Sequence, residues 1–194
     1  FAGGLGANSE IFTWRRDGSE LRQLTSSPGI DTNPAWSPNG NEIAFTSSRS
    51  GSPQIYVVDA EGTNLRRVTF DGEYNDGAAW SPDGKHLASA GFADRTVRLW
   101  TADGKPGPVL AGHRGAVHGV AWSPDGRRLA SAAYDGTVRL WTAEGRPDLA
   151  LQGGGDKAFT AGADLKSPPN NLYRAIPGVG VAVDKPVIGA VAGW

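Results

Sequence analysis

The strongest constraint on this chain is a unit that returns three times. Residues 121–141 read AWSPDGRRLASAAYDGTVRLW and residues 79–100 read AWSPDGKHLASAGFADRTVRLW. Residues 35–59 carry a looser copy, AWSPNGNEIAFTSSRSGSPQIYVVD. The leading tryptophans stand at 36, 80 and 122, spacings of 44 and 42 residues. A period of that length, made of short strands and Gly-rich turns, predicts an all-β chain of four-stranded propeller blades.

The blades follow from local chemistry. Ser37-Pro38-Asn39-Gly40, Ser81-Pro82-Asp83-Gly84 and Ser123-Pro124-Asp125-Gly126 each read as a tight turn. Proline presets φ at the second position, and the Gly after Asn or Asp tolerates positive φ. Ile43, Phe45, Ile55, Val57 and Leu65 are expected to supply inward faces of the first blade by strand alternation. The three full blades span about residues 31–70, 71–110 and 112–152. Residues 11–25 match residues 55–69 at an offset of 44, and so predict the back half of a further blade. Three regions result: a Gly- and Ala-rich lead-in at 1–10, expected to be flexible, about three and a half blades over 11–152, and a different segment over 153–194.

Composition narrows function mainly by exclusion. The net charge is −1, so no global field recruits nucleic acid or an anionic membrane. The pairs Arg15-Arg16, Arg66-Arg67 and Arg127-Arg128 read as solvated surface. With no Cys, disulfides, thiolate zinc sites and cysteine nucleophiles are ruled out. With no Met, the chain reads as a processed, trimmed or partly read product. The apolar run over 175–194 is broken by Asp184, Lys185 and two prolines, so no membrane span is expected. His86 and His118 lack neighbours at metal-ligand spacing and read as surface or turn residues; no metal site and no cofactor is expected. Gly178-Val179-Gly180 lacks the third glycine of a dinucleotide loop.

Two resemblances are carried by the repeat. In residues 11–78, W-S-P-N-G, S-S-R-S-G, Q-I-Y-V-V-D and L-R-R-V-T follow one another as in periplasmic TolB-type propellers. Residues 79–152, with L-A-S-A, an Asp, T-V-R-L-W and Gly112-His113, resemble WD-repeat proteins. The first resemblance implies a periplasmic setting and the second a cytoplasmic one. The WD resemblance also implies a buried structural tetrad of His, Ser or Thr, Asp and Trp, which falls on His113, Ser131, Asp135 and Trp141. In the second blade it falls on Ser89, Asp94 and Trp100, with Asp71 where the His is expected, so that tetrad is partial. A hydrolase triad of His113, Ser131 and Asp135 is disfavoured, because no nucleophile elbow accompanies them.

Over 153–194, A-G-A-D and K-P-V-I-G-A-V-A-G resemble the crotonase family of enoyl-CoA hydratases. That resemblance implies an oxyanion or CoA contact at Ala161, Gly162 and Asp164. The motif lacks the second donor and the acid/base carboxylates such chemistry needs.

The main expectation is a non-catalytic propeller scaffold that binds a protein partner. An acyl-CoA-binding or hydratase-type fragment, and a composite or artificial sequence with no single natural function, are the alternatives. An open arc of blades leaves apolar faces uncovered. Closure by the tail into a four-bladed ring, assembly as a homo-oligomer, and a composite origin are the three ways to resolve it.

Overall fold

The computed structural model describes residues 1–4, 8–15 and 17–152. It contains strands and turns only, among the described residues, in four antiparallel sheets. The first sheet is three-stranded: β1 (Ala2–Gly3), β2 (Glu10–Thr13) and β3 (Arg22–Gln23). The first full blade holds β4 (Asp31–Trp36), β5 (Glu42–Ser47), β6 (Gln54–Asp59) and β7 (Arg66–Arg67). The second holds β8 (Asn75–Trp80), β9 (His86–Gly91), β10 (Val97–Thr101) and β11 (Pro106–Leu110). The third holds β12 (Val117–Trp122), β13 (Arg128–Ala133), β14 (Thr137–Thr142) and β15 (Pro147–Gln152). Each blade is a simple meander, so every strand pairs with its sequence neighbour.

The turns form because their side chains satisfy the backbone. Ser37 Oγ donates to Asn39 Oδ1 at 2.7 Å and accepts from Glu42 N–H at 3.0 Å. Ser81 with Asp83 and Ser123 with Asp125 repeat the arrangement, each at 2.6 Å. The glycine closing each turn has φ between +70° and +72°, a region that favours Gly. The inner strands β4, β8 and β12 each carry a register shift, and Asn33 and Gly77 take positive φ within the first two.

The core lies between sheets. Ile11 and Leu24 meet Ile43, Phe45, Tyr56 and Val58 at the first junction. Ala44, Ile55, Val57 and Val68 meet Ala78, Trp80, Leu87 and Trp100 at the second. Ala88, Ala90, Val97, Leu99 and Leu110 meet Val117, Val120, Trp122, Leu129 and Trp141 at the third.

This corrects the simple alternation expected for the first blade. Ile43 and Phe45 face the sheet before it, whereas Ile55 and Val57 face the blade after it. A sheet flanked on both sides buries both faces, so its central strands are apolar nearly throughout. Leu65 faces neither and is 45 % exposed, because it sits in the turn leading to the short outer strand β7. The N-terminal residues also do more than lead in: Ala2 and Gly3 pair with Ile11 and Glu10 and add a third strand to the first sheet.

One hydrogen bond repeats between blades. Trp80 Nε1 donates to the carbonyl of Ala35 at 3.2 Å, and Trp122 Nε1 donates to the carbonyl of Ala79 at 3.3 Å. The donor is the last residue of one inner strand, and the acceptor lies one residue from the end of the preceding inner strand. Trp36 holds the same place in the first blade, but among the described residues no inner strand precedes it in the three-stranded sheet; it is 53 % exposed.

Replacing Trp122 or Trp80 with Phe should therefore cost about 1–2 kcal/mol in urea unfolding, from the lost bond and imperfect repacking. Trp36→Phe should change stability by about 0.5 kcal/mol or less. Equal losses at the three positions would contradict an inter-blade role for the indole N–H.

Candidate functional site: buried anchors and the rim they hold

Buried polar side chains at the strand ends tie the loops of one rim to the sheets. In the third blade, Trp141 Nε1 donates to Ser131 Oγ at 2.8 Å, and Ser131 Oγ lies 2.8 Å from His113 Nε2. His113 Nδ1 stands 3.1 Å from Asp135 Oδ2. The consistent tautomer has Nδ1–H donating to the carboxylate and Nε2 accepting from the serine hydroxyl. Asp135 also accepts from Thr137 Oγ1 at 2.6 Å and from the N–H of Arg114 at 2.7 Å.

Electrostatics follow from these contacts. Burial lowers the His113 pKa, and the neighbouring Asp135 carboxylate offsets this only in part, so the ring is held neutral. Burial alone would raise Asp135, but hydrogen bonds from Thr137, Arg114 N–H and His113 outweigh it. Its carboxyl is held far below the usual carboxylate range.

The second blade solves the same problem differently. Trp100 Nε1 donates to Ser89 Oγ at 3.0 Å, and Ser89 Oγ donates to Asn75 Oδ1 at 2.9 Å. Asp94 is not part of this chain. It accepts from Arg98 Nη2 at 2.9 Å and from Thr96 Oγ1 at 2.8 Å. Asp71 contributes its backbone carbonyl, which accepts from Asn75 Nδ2 at 2.9 Å. Asn75 Nδ2 also donates to Gln54 Oε1 at 3.1 Å, and Thr69 Oγ1 donates to the same oxygen at 2.7 Å. A continuous polar chain thus runs from Gln54 of the first blade to Trp100 of the second.

Asn75 and Gln54 escape a reading based on spacing from the tryptophans, which points to Asp71. A signal was present: Asp31 and Asn75, Glu10 and Gln54, and Thr25 and Thr69 are all separated by 44 residues. In the first blade Ser47 Oγ donates to Asp31 Oδ1 at 2.5 Å, and Arg49 Nη2 pairs with Asp31 Oδ2 at 2.6 Å. In the first sheet Thr25 Oγ1 donates to Glu10 Oε2 at 2.7 Å. Each sheet has its own buried anchor, built from different residue types.

These anchors hold a rim made of the β5–β6, β9–β10 and β13–β14 turns and the loops entering the inner strands. Phe92 N–H donates to the carbonyl of Tyr74 at 3.3 Å, and Tyr134 N–H donates to that of Ala116 at 2.9 Å. On this rim Tyr74, Phe92, His118 and Tyr134 form one aromatic cluster. Phe92 lies 5.2 Å from Tyr74, 5.4 Å from His118 and 6.3 Å from Tyr134, centroid to centroid. Phe92 is 42 % and Tyr134 64 % exposed. His118, read from sequence as a lone surface residue, is half-buried in this cluster, with its Nε2 enclosed and without a partner. Burial lowers its pKa, and Asp76 raises it in part. Ala161, Gly162 and Asp164 lie outside the described residues.

No group of three or more metal-ligating side chains occurs among the described residues. No helix of the described residues is long and apolar enough to cross a membrane.

The sheets and their anchors define a β-propeller repeat protein. The TolB beta propeller domain family model matches residues 2–107, more than half of the chain, and the chain belongs to that family. The WD domain, G-beta repeat model matches residues 104–142. The second blade thus falls within the TolB-type match, and the change of type comes near residue 104 rather than at 79.

The TolB homolog of Chlorobium luteolum is 44 % identical over 52 residues, covering 27 % of this chain and 12 % of that protein. The Tol-Pal system protein TolB of Bordetella pertussis is 62 % identical over 39 residues, covering 20 % of this chain and 9 % of its own length. The crystal structure of TolB from Acinetobacter baumannii superposes with a TM-score of 0.68 at 27 % identity. That match covers 79 % of this chain and 40 % of the solved one. The chain spans about a tenth of the length of the curated relatives it matches.

Ser131→Ala strands both the Trp141 N–H and His113 Nε2 and should cost about 3 kcal/mol in chemical unfolding. Asp94→Asn weakens only a partly exposed ion pair and should cost less than about 1 kcal/mol. The lowered His113 pKa means that unfolded chains bind a proton there more readily than folded ones. Its contribution to stability is full above about pH 6.5 and is lost as pH falls toward the folded value. Melting temperature should drop between pH 7.5 and 5, and His113→Gln should drop less steeply than the parent. Parallel pH profiles would contradict the assignment.

Proposed function

We propose that the chain is a non-catalytic propeller module that docks a protein partner on the rim bearing Tyr74, Phe92, His118 and Tyr134. The observation that carries this reading is the exposed aromatic cluster held on a rim that buried anchors tie to the sheets. Large exposed aromatics held in fixed edge-to-face contact are the usual chemistry of protein docking. They bring contact area at little cost in conformational entropy.

The blade fold does not require these rings. The position of Phe92 and Tyr134 is held in the first blade by Ser48, whose Oγ accepts from the N–H of Ile30. A hydrolytic role for His113, Ser131 and Asp135 finds no support in the geometry, because Ser131 is 1 % exposed and its hydroxyl is engaged by Trp141 and His113. Similarity to a protein named as part of the Tol-Pal system supports the same reading. The surface proposed here belongs to this chain's own residues.

A photo-crosslinking side chain placed at Tyr134 should yield a covalent adduct with a protein in the native host. The same group placed at Lys105, on the opposite rim, should not. Equal adducts at both sites, or none at Tyr134, would remove the basis for this reading.

A further inference from the structure

The turn beside the aromatic cluster carries a feature that the fold does not need. Between β13 and β14 the turn reads Tyr134-Asp135-Gly136-Thr137, and Gly136 takes φ +74°. Between β9 and β10 it reads Phe92-Ala93-Asp94-Arg95-Thr96, and Arg95 takes φ +60° at the place before the threonine. The repeat uses glycine at this left-handed position in the third blade and arginine in the second. A side chain with Cβ is strained there. Such strain gathers at functional sites, where the surrounding structure enforces it.

From this turn the arginine reaches the loop that enters the next blade. Arg95 Nη1 donates to the backbone carbonyl of Arg114 at 3.4 Å. Arg95 and Arg114 are both exposed, and both belong to the loops that carry the cluster: Arg95 lies in the turn of Phe92, and Arg114 N–H bonds Asp135, the residue after Tyr134. Neither forms an ion pair among the described residues. The acids nearest in sequence are already committed: Asp94 holds Arg98, and Asp135 holds His113 and Thr137. Exposed Asp71 and Glu73 flank the Tyr74 side of the cluster.

We infer that Arg95 and Arg114, with Phe92 and Tyr134, form a docking site for a peptide segment that places an acidic side chain next to an aromatic or aliphatic anchor. The inference rests on the docking reading above and names the partner's chemistry. The anchor packs on the exposed rings, and the carboxylate meets the guanidinium groups of Arg95 and Arg114, whose planar forks suit it. A long polyanion fits poorly, because Asp71 and Glu73 would repel it at the far side and the chain as a whole carries a charge of −1.

A random dodecapeptide display library selected on the full chain tests this. Enriched peptides should carry Asp or Glu beside a large apolar residue, and their synthetic forms should bind in fluorescence anisotropy. Arg95→Gly should weaken that binding by roughly two- to five-fold, the scale of a lost exposed charge pair. The same substitution should raise the melting temperature, because it relieves the left-handed strain. A structural role alone would not move binding and stability in opposite directions. Enrichment of basic peptides, binding indifferent to Arg95→Gly, or displacement of the peptide by a single-stranded oligonucleotide would each overturn the inference. If crosslinking at Tyr134 still captured a protein, only the acidic-peptide assignment would fall; if it captured none, the docking reading would fall with it.

Discussion

Everything in this molecule depends on one sheet face closing against the next. No blade is wide enough to bury its own apolar residues, so three core clusters are each shared by two sheets, and a fourth, smaller one of Ala130, Leu140 and Leu151 lies on the third blade alone. The tryptophan ending an inner strand seals that junction. Its ring fills the gap, and its N–H satisfies a carbonyl of the preceding inner strand. The bond is modest, but it is directional, and it sets the height at which one inner strand meets another. The match between two indoles and two alanine carbonyls shows the same register used twice.

The buried anchors depend on that packing in turn. A histidine, asparagine, glutamine or aspartate placed between sheets must be fully hydrogen-bonded, since an unpaired polar group there costs free energy comparable to a lost bond. The third blade meets the demand with His113 and Asp135, and the second with Asn75, Gln54 and Thr69. Once Asn75 takes the serine in the second blade, Asp94 is released to hold Arg98. In the third blade Asp135 is occupied by His113, and the aligned arginine, Arg139, is left with an enclosed Nε lacking a partner. One substitution of the anchor thus redistributes charge across the whole turn. It also gives the second blade a polar tie to the first that the third does not make through its histidine.

Most of the architecture was legible because its signals are local. Turns of the Ser-Pro-Asp-Gly kind carry their own hydrogen bonds, and strand lengths follow from the distance between them. Residue facing was less legible, since alternation predicts one inward face and a sandwiched blade has two, as Ile43 and Ile55 show. The third-blade anchor could be placed by motif, but Asn75 could not, because its role depends on reaching Gln54 in another blade. The strain at Arg95 was hidden by Ala93, an extra residue that shifts the turn against its counterpart. His118 looked solitary in sequence because Phe92 and Tyr134 reach it only through the packing of neighbouring blades.

Hydrogen exchange of the indole N–H groups, followed one tryptophan at a time by nuclear magnetic resonance, interrogates the central claim directly. The account predicts slow exchange at Trp80 and Trp122, which bond across the junctions, and at Trp100 and Trp141, which bond within their blades. It predicts fast exchange at Trp36, which has the same place in the repeat but, among the described residues, no inner strand before it and an exposed ring. Exchange at Trp36 as slow as at Trp80, or exchange at Trp80 and Trp122 as fast as at exposed Trp14, would contradict it.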